Sequence, residues 1–206
     1  MLLLKSTLVN GIIGKKVAKV AKVGSTLKSE TKKVVCYNNT EKEVKLVVCD
    51  TPGLQDGANR DSAYIKDIKD TCKNIDLIMF AIRMDIARFN HDSGDYKTME
   101  ILTEAFGKDF WRHAMLVLTF ANKVDNPEIP RDDEFELEKV AFFERKLSEW
   151  EDALIQTLEE DLHIPKEISF KVPVVPAGIH NERDLPGYQF WFSKLWGKAT
   201  NRMSKN

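Results

Sequence analysis

At 206 residues the chain is long enough for one sizeable α/β domain and short for two. Its net charge of −1, with 31% charged and 43% hydrophobic residues, is an ordinary globular balance and carries no electrostatic footprint for nucleic acid. No apolar run approaches the ~20 residues of a membrane-spanning helix, and Met1-Leu2-Leu3-Leu4, closed by Lys5, is too short for a signal-peptide core. Cys36, Cys49 and Cys72 are odd in number, widely separated, and lack metal-ligand spacing. They predict a reduced, cytoplasmic protein in which Cys49 is a small core residue. Contact with a membrane would then be peripheral, through a partner or through segments outside this chain.

Taken in chain order, Lys5-Ser6-Thr7 followed by Leu8-Val9 and Ile12-Ile13 reads as the end of a phosphate-binding loop running into a helix. The full motif is G-x-x-x-x-G-K-[ST]; here Leu4 stands where its last glycine belongs, so an amphipathic helix with a lysine near its start is the plainer reading of those residues alone. Residues 15–33, rich in Lys, Ser and Thr, read as a loop. Thr26 or Thr31 within it is a candidate magnesium-binding hydroxyl, against the simpler reading of a solvated basic loop. Val34 to Tyr37, a turn at Asn38-Asn39, and Val44 to Cys49 predict a hairpin.

The stretch Leu46-Val47-Val48-Cys49-Asp50-Thr51-Pro52-Gly53-Leu54 organises this region. An apolar run suits a strand covered on both faces. The carboxylate of Asp50 then falls at the C-terminal edge, where open α/β sheets bind ligands, and in a P-loop NTPase such an Asp holds Mg2+. Gly53, without a side chain, lets its N–H approach a γ-phosphate closely. The alternative is a strand ending in a Pro-Gly turn with no chemistry.

A helix is predicted from about Asp61 to Asn74, a buried strand from Ile75 to Ile82 ending in Arg83-Met84-Asp85-Ile86-Ala87-Arg88, and a second helix from about Gly94 to Phe106. Ala114 to Ala121 is another apolar strand, ending in Asn122-Lys123-Val124-Asp125. The spacing has a chemical reason. The Asp125 carboxylate accepts two parallel hydrogen bonds from N1–H and N2–H2 of guanine, a pair that adenine does not offer. Lys123 would lie along the base plane, and Asn122 would bond the base and tie the loops. Residues 126–165 hold a linker and a long one-sided helix of about 28 residues, with Asp133 and Glu136 in a capping-box pattern. Phe170 to Pro176 reads as a last strand, with Ala177 and Gly178 in the loop after it, and Tyr188 to Trp196 as an aromatic closing helix before a frayed tail at 197–206.

The motifs K-S-T-L-V-N-G, D-T-P-G-L, R-M-D-x-x-R and L-T-F-A-N-K-V-D, in that order, resemble the avirulence-induced-gene type G domain. That family includes the GIMAP immune-associated GTPases and is related to the chloroplast import receptor GTPases. The resemblance covers roughly residues 4 to 196 and is most specific from Leu77 to Asp125. It implies a single G domain over 1–206, a P-loop NTPase three-layer sandwich with a mostly parallel sheet and one antiparallel strand. It further implies GTP or GDP held with Mg2+ by Lys5, Ser6, Thr7, Asp50, Gly53, Asn122, Lys123, Asp125 and the N–H of Ala177 or Gly178. Ser6, Thr31 and Asp50 would be the metal ligands. Arg88 matches the arginine that, in the import receptor relatives, reaches across a homodimer formed over the nucleotide face; otherwise it is a surface arginine closing a turn.

Two departures stand out. The family's first strand and glycine-rich loop are absent, which reads as a truncated start that would leave neighbouring strand edges unpaired. Leu54 occupies the place of the water-positioning glutamine of Ras-like GTPases, so hydrolysis should be slow. The rival expectation is a nucleotide-free interaction protein that keeps the fold but not its site.

Overall fold

In the computed structural model, residues 8–9, 33–41, 44–54, 58–86, 89–130, 132–178 and 184–203 are described. The chain divides into two compact units, residues 1–81 and 82–206.

In the first unit, β1 (Val35–Glu41) and β2 (Val44–Asp50) form an antiparallel ribbon. The register sets Glu41 opposite Val44 and Val35 opposite Asp50. The chain therefore reverses at 42–43, which lie outside the described residues, and not at Asn38-Asn39, which are strand residues. β-branched Val35 and Thr40 and aromatic Tyr37 suit a pleated strand, and that preference carries it through the two asparagines. Because side chains alternate across a strand, Tyr37, Val48 and Asp50 share one face, while Cys36, Val47 and Cys49 share the other. Val48 is buried, whereas Val47 is 54% exposed, so β2 is covered on one face at this point and not on both as its apolar run suggested. Helix α1 (Ala58–Thr71) follows. Its Asp67 accepts a hydrogen bond from the Val34 N–H (2.8 Å), fixing the helix against the entry to β1. Leu8 and Val9 are helical and buried, in agreement with a helix after Lys5-Ser6-Thr7.

The second unit is built on the end of β3 (Ile78–Arg83), β4 (Ala114–Thr119) and β5 (Val174–Pro176), in a sheet of order β3-β4-β5. β4 and β5 are parallel, with Val117 opposite Val175. Ala114 through Leu118 are wholly buried, as a central strand with both faces covered requires. Each large apolar side chain so buried contributes about 1.5–3 kcal/mol. The whole is an α/β arrangement with a parallel core and a separate antiparallel pair. Among the described strands β2 pairs with β1 alone and β3 with β4 alone.

Helix α2 (Gly94–Phe106) starts where Ser93 caps it, its hydroxyl accepting from the Tyr96 N–H, and stops at Gly107, whose φ of +80° favours glycine. Helix α3 (Glu136–Gln156) buries Phe143, Leu147 and Leu154 and continues as a π-helical turn, Thr157–Asp161. α3 starts later than capping by Asp133 would place it: Asp133 belongs to a short 3-10 turn, Asp133–Phe135, and Phe135 is the N-cap of α3, without a side-chain hydrogen bond. The last strand is shorter than its apolar run, because α4 (Lys166–Ser169) precedes it and Phe170 lies 70% exposed in the turn that follows. Helix α5 (Trp191–Met203) buries Trp191, Leu195 and Ala199 and extends well into the segment expected to fray. Among the described residues no helix is long and apolar enough to cross a membrane.

The two ends of the exposure range along α3 give a direct check. Phe143 is fully buried with its ring 5.8 Å from that of Tyr188, so Phe143→Ala should cost about 3–5 kcal/mol in denaturant unfolding. Leu137, 82% exposed, should change stability by no more than about 0.5 kcal/mol when replaced by Ala.

Candidate nucleotide site

The carboxylate end of β2 lies in the first unit. Asp50 is only 3% exposed, and Thr51, Pro52 and Leu54 around it are buried as well. Tyr37 stands on the same face of the ribbon. Its own burial, and second the negative charge of Asp50, push its phenol above the usual tyrosine pKa. Among the described residues, an added Cβ at Gly53 would meet nothing within 4 Å, so their packing does not require glycine there. Leu54 is packed into the core and offers no polar group at that position.

The N-K-V-D segment, Asn122 to Asp125, lies in the second unit, at the C-terminal end of β4. The Met84 N–H donates to the Thr119 carbonyl (2.8 Å), and the Thr119 hydroxyl donates to the Ile82 carbonyl (3.0 Å). Phe120 then turns the chain with a left-handed φ of 58°. Arg83 lies over the Phe120 ring at 4.6 Å and donates twice to Asp85, at 2.9 and 2.6 Å. The hydrogen bonding to Asp85 raises the Arg83 pKa above its already high value, so this cation is permanent. Thus the R-M-D turn and the T-F-A strand end, two separate parts of the sequence motif, form one structural unit.

Ala121–Lys123 forms a single 3-10 turn. Ala121 is buried, Asn122 half-buried, and Lys123 and Asp125 exposed. The turn is anchored from the other side as well. The Ala121 N–H donates to the Ala177 carbonyl (3.1 Å), and the Ala177 N–H donates to the Leu118 carbonyl (2.8 Å). The Ala177 N–H, one of the two candidate donors to a guanine oxygen, is thereby engaged with the sheet. Gly178 is also a position of close approach: a Cβ there would sit 2.9 Å from Nε1 and 3.3 Å from Cε2 of Trp191.

Lys123 and Asp125 open onto a cleft of about 330 Å3 walled by Met84, Phe89, Phe142 and Trp150. The Phe89 and Trp150 rings in its lining are in tilted contact, with centroids 5.9 Å apart. Asn122, Ala177 and Gly178 are not among its lining residues. The structure therefore places Asn122 and Lys123 in the 3-10 turn and Asp125 just after it, with the turn hydrogen-bonded to Ala177; Lys123 and Asp125 line the cleft. Lys5, Ser6, Thr7, Thr26, Thr31 and Arg88 lie outside the described residues. The sequence reading missed the Arg83–Asp85–Phe120 clasp. The R-M-D and T-F-A segments were conspicuous, but nothing in their spacing showed that they touch.

The AIG1 family model matches residues 4–152. This chain belongs to the AIG1 family. It is 30% identical over 208 residues to translocase of chloroplast 34 of Arabidopsis thaliana, covering 95% of this chain and 61% of that protein. The chain thus spans about six-tenths of the length of that curated relative. Its fold superposes on Toc33 from Arabidopsis thaliana in complex with GDP and Mg2+, with a TM-score of 0.76 at 23% identity, over 98% of this chain and 80% of that one. A second structure concerns atToc33 and psToc159, chloroplast translocon components for whose GTPase activity dimerization is important. It gives a TM-score of 0.77 at 24% identity, over 98% of this chain and 79% of that one. These relatives are chloroplast translocase components, where the sequence reading expected GIMAP-like GTPases.

Two glycines separate packing from ligand roles. Gly178→Ala should cost about 1–3 kcal/mol in thermal or denaturant unfolding, because the buried Trp191 ring has no room to retreat. Gly53→Ala should leave stability within about 0.5 kcal/mol of the parent. Equal losses at the two positions would contradict the geometry described.

Proposed function

We propose that this AIG1 chain is a guanine-nucleotide-binding switch domain that works as a homodimer and hydrolyses GTP slowly. The observation that carries the reading is the seating of Asn122-Lys123-Val124-Asp125 at the C-terminal end of a fully buried parallel strand. There it is tied on one side to the R-M-D turn and on the other to the Ala177–Gly178 loop. Buried strand ends of this kind are where α/β sheets bind nucleotides. The Toc33 complex with GDP and Mg2+ supports the choice of ligand.

In this reading Asp125 accepts the two guanine edge protons, Lys123 lies along the base, Asn122 braces the turn and Gly178 donates to the guanine oxygen. Lys5, Ser6 and Thr7 take the phosphates, with Gly53 near the γ-phosphate. The metal donors Ser6, Thr31 and Asp50 are all oxygens, a hard set that fits Mg2+. That ion would supply positive charge against the phosphates. Hydrolysis is slow because Leu54 presents no polar group to orient water. Arg88 would act on the nucleotide of a second copy, a role supported by the importance of dimerization in the translocon components. The chloroplast translocase relatives also support a place at a membrane surface, held there peripherally.

The test is a base-edge swap. Asn in place of Asp125 keeps the acceptor facing N1–H but turns the second acceptor into a donor. It therefore mismatches guanine and matches xanthine, which carries a carbonyl at that position. Asp125→Asn should weaken GTP by about 1.5–3 kcal/mol, roughly ten- to 150-fold, and strengthen binding of xanthosine triphosphate. A folded variant that still prefers GTP over both xanthosine triphosphate and ATP would overturn the assignment.

A further inference from the structure

The three cysteines that the sequence scatters over 37 positions come together in space. The Sγ atoms of Cys36, Cys49 and Cys72 all lie within 4.8 Å of one another, and all three residues are half-buried. Cys49, expected as a small core residue in a set of cysteines without metal-ligand spacing, is thus half-buried and clustered with the other two. Cys36 and Cys49 are opposite one another in the β1–β2 register and are joined by a disulfide. Cys72, a free thiol, follows the last residue of α1, with its N–H donating to the Ile68 carbonyl (2.8 Å). What brings it to the ribbon is Asp67, one turn earlier in α1, which accepts from the Val34 N–H at the start of β1.

Two chemistries could use three clustered sulfurs. A thiol–disulfide relay needs Cys72 as a resting thiolate. Its surroundings work the other way: burial first, and the nearby Asp67 carboxylate as well, raise its pKa. A metal site has no such requirement, because the cation itself displaces the thiol protons. Two thiolates on one tetrahedral zinc stand about 3.8 Å apart, which the 4.8 Å limit on this cluster accommodates. Thiolates select soft cations such as zinc or copper(I) over magnesium.

We propose that Cys36, Cys49 and Cys72, when reduced, form a three-thiolate site for one soft divalent cation such as Zn2+, with solvent in the fourth position, and that the Cys36–Cys49 disulfide is the form that cannot hold it. The interconversion balances. A dithiol reductant gives two electrons and two protons to the Cys36–Cys49 bond and becomes a disulfide itself. The three thiols then bind Zn2+ and release three protons. The inference is independent of the nucleotide reading, since it uses the ribbon face opposite Asp50. It does bear on that face, because Cys49 immediately precedes Asp50 in β2.

The experiment takes the full 206-residue chain, reduced with a dithiol that is then removed under anaerobic conditions, and titrates it with Zn2+ against a chromophoric chelator. One Zn2+ per reduced chain is expected, none in the disulfide form, and at least about tenfold weaker binding in Cys72→Ser. No uptake by the reduced chain, or equal uptake by Cys72→Ser, would overturn the proposal. If Cys72→Ser does not fold, the parent chain still decides it by alkylation and mass spectrometry. Zn2+ should protect Cys36, Cys49 and Cys72 together, and protection of none of them, or of Cys72 alone, would contradict the site.

Discussion

The end of β4 is clamped from both sides by backbone hydrogen bonds, and the candidate base-reading turn depends on that clamp. On one side Met84 donates to Thr119; on the other Ala121 donates to Ala177, and Ala177 to Leu118. A buried N–H or C=O left unpaired costs more than a typical paired one contributes, so these bonds fix the chain path where the sheet gives out. Between them Phe120 takes a left-handed conformation that a bulky residue enters only when its surroundings enforce it. The Arg83 guanidinium over its ring and the Arg83–Asp85 pair hold that conformation in place. Asn122, Lys123 and Asp125 then leave the strand in a fixed direction, with the Lys123 N–H donating to the Phe120 carbonyl (2.8 Å).

The first unit uses a different device. Its ribbon presents two chemically distinct faces, one with Tyr37 and the buried carboxylate of Asp50, the other with the sulfur cluster. A covalent or metal cross-link on the sulfur face would stiffen the strand end that carries Asp50 without touching that side chain. Hard oxygen donors on one face and soft sulfur donors on the other would not compete for the same cation.

Much of this was legible in the sequence where local signals agree with the fold. Helix α2, read from about Gly94 to Phe106, lies there because its apolar residues Met99, Leu102, Ala105 and Phe106 recur at helical spacing. β4 was read because a continuous apolar run next to N-K-V-D has few alternatives, and the family followed from the order of four motifs. Failures came where a tertiary partner decides. The Asn38-Asn39 pair looks like a turn, yet the register carries the strand to Glu41. Asp133 and Glu136 look like a capping box, yet a 3-10 turn precedes α3 and shifts the cap to Phe135. The cysteine cluster was invisible because sequence spacing says nothing of a register that sets Cys36 against Cys49, or of an Asp67–Val34 bond that delivers Cys72. The engagement of the Ala177 N–H was likewise a matter of strand pairing, not composition.

The most direct measurement is a titration of the purified chain with a fluorescent GTP analogue in the presence of Mg2+, followed by displacement with unlabelled GTP and ATP. The account predicts saturable binding, displaced by GTP and not by ATP. A chain that is folded by circular dichroism but binds no guanine nucleotide, or that yields equally to ATP, would contradict it.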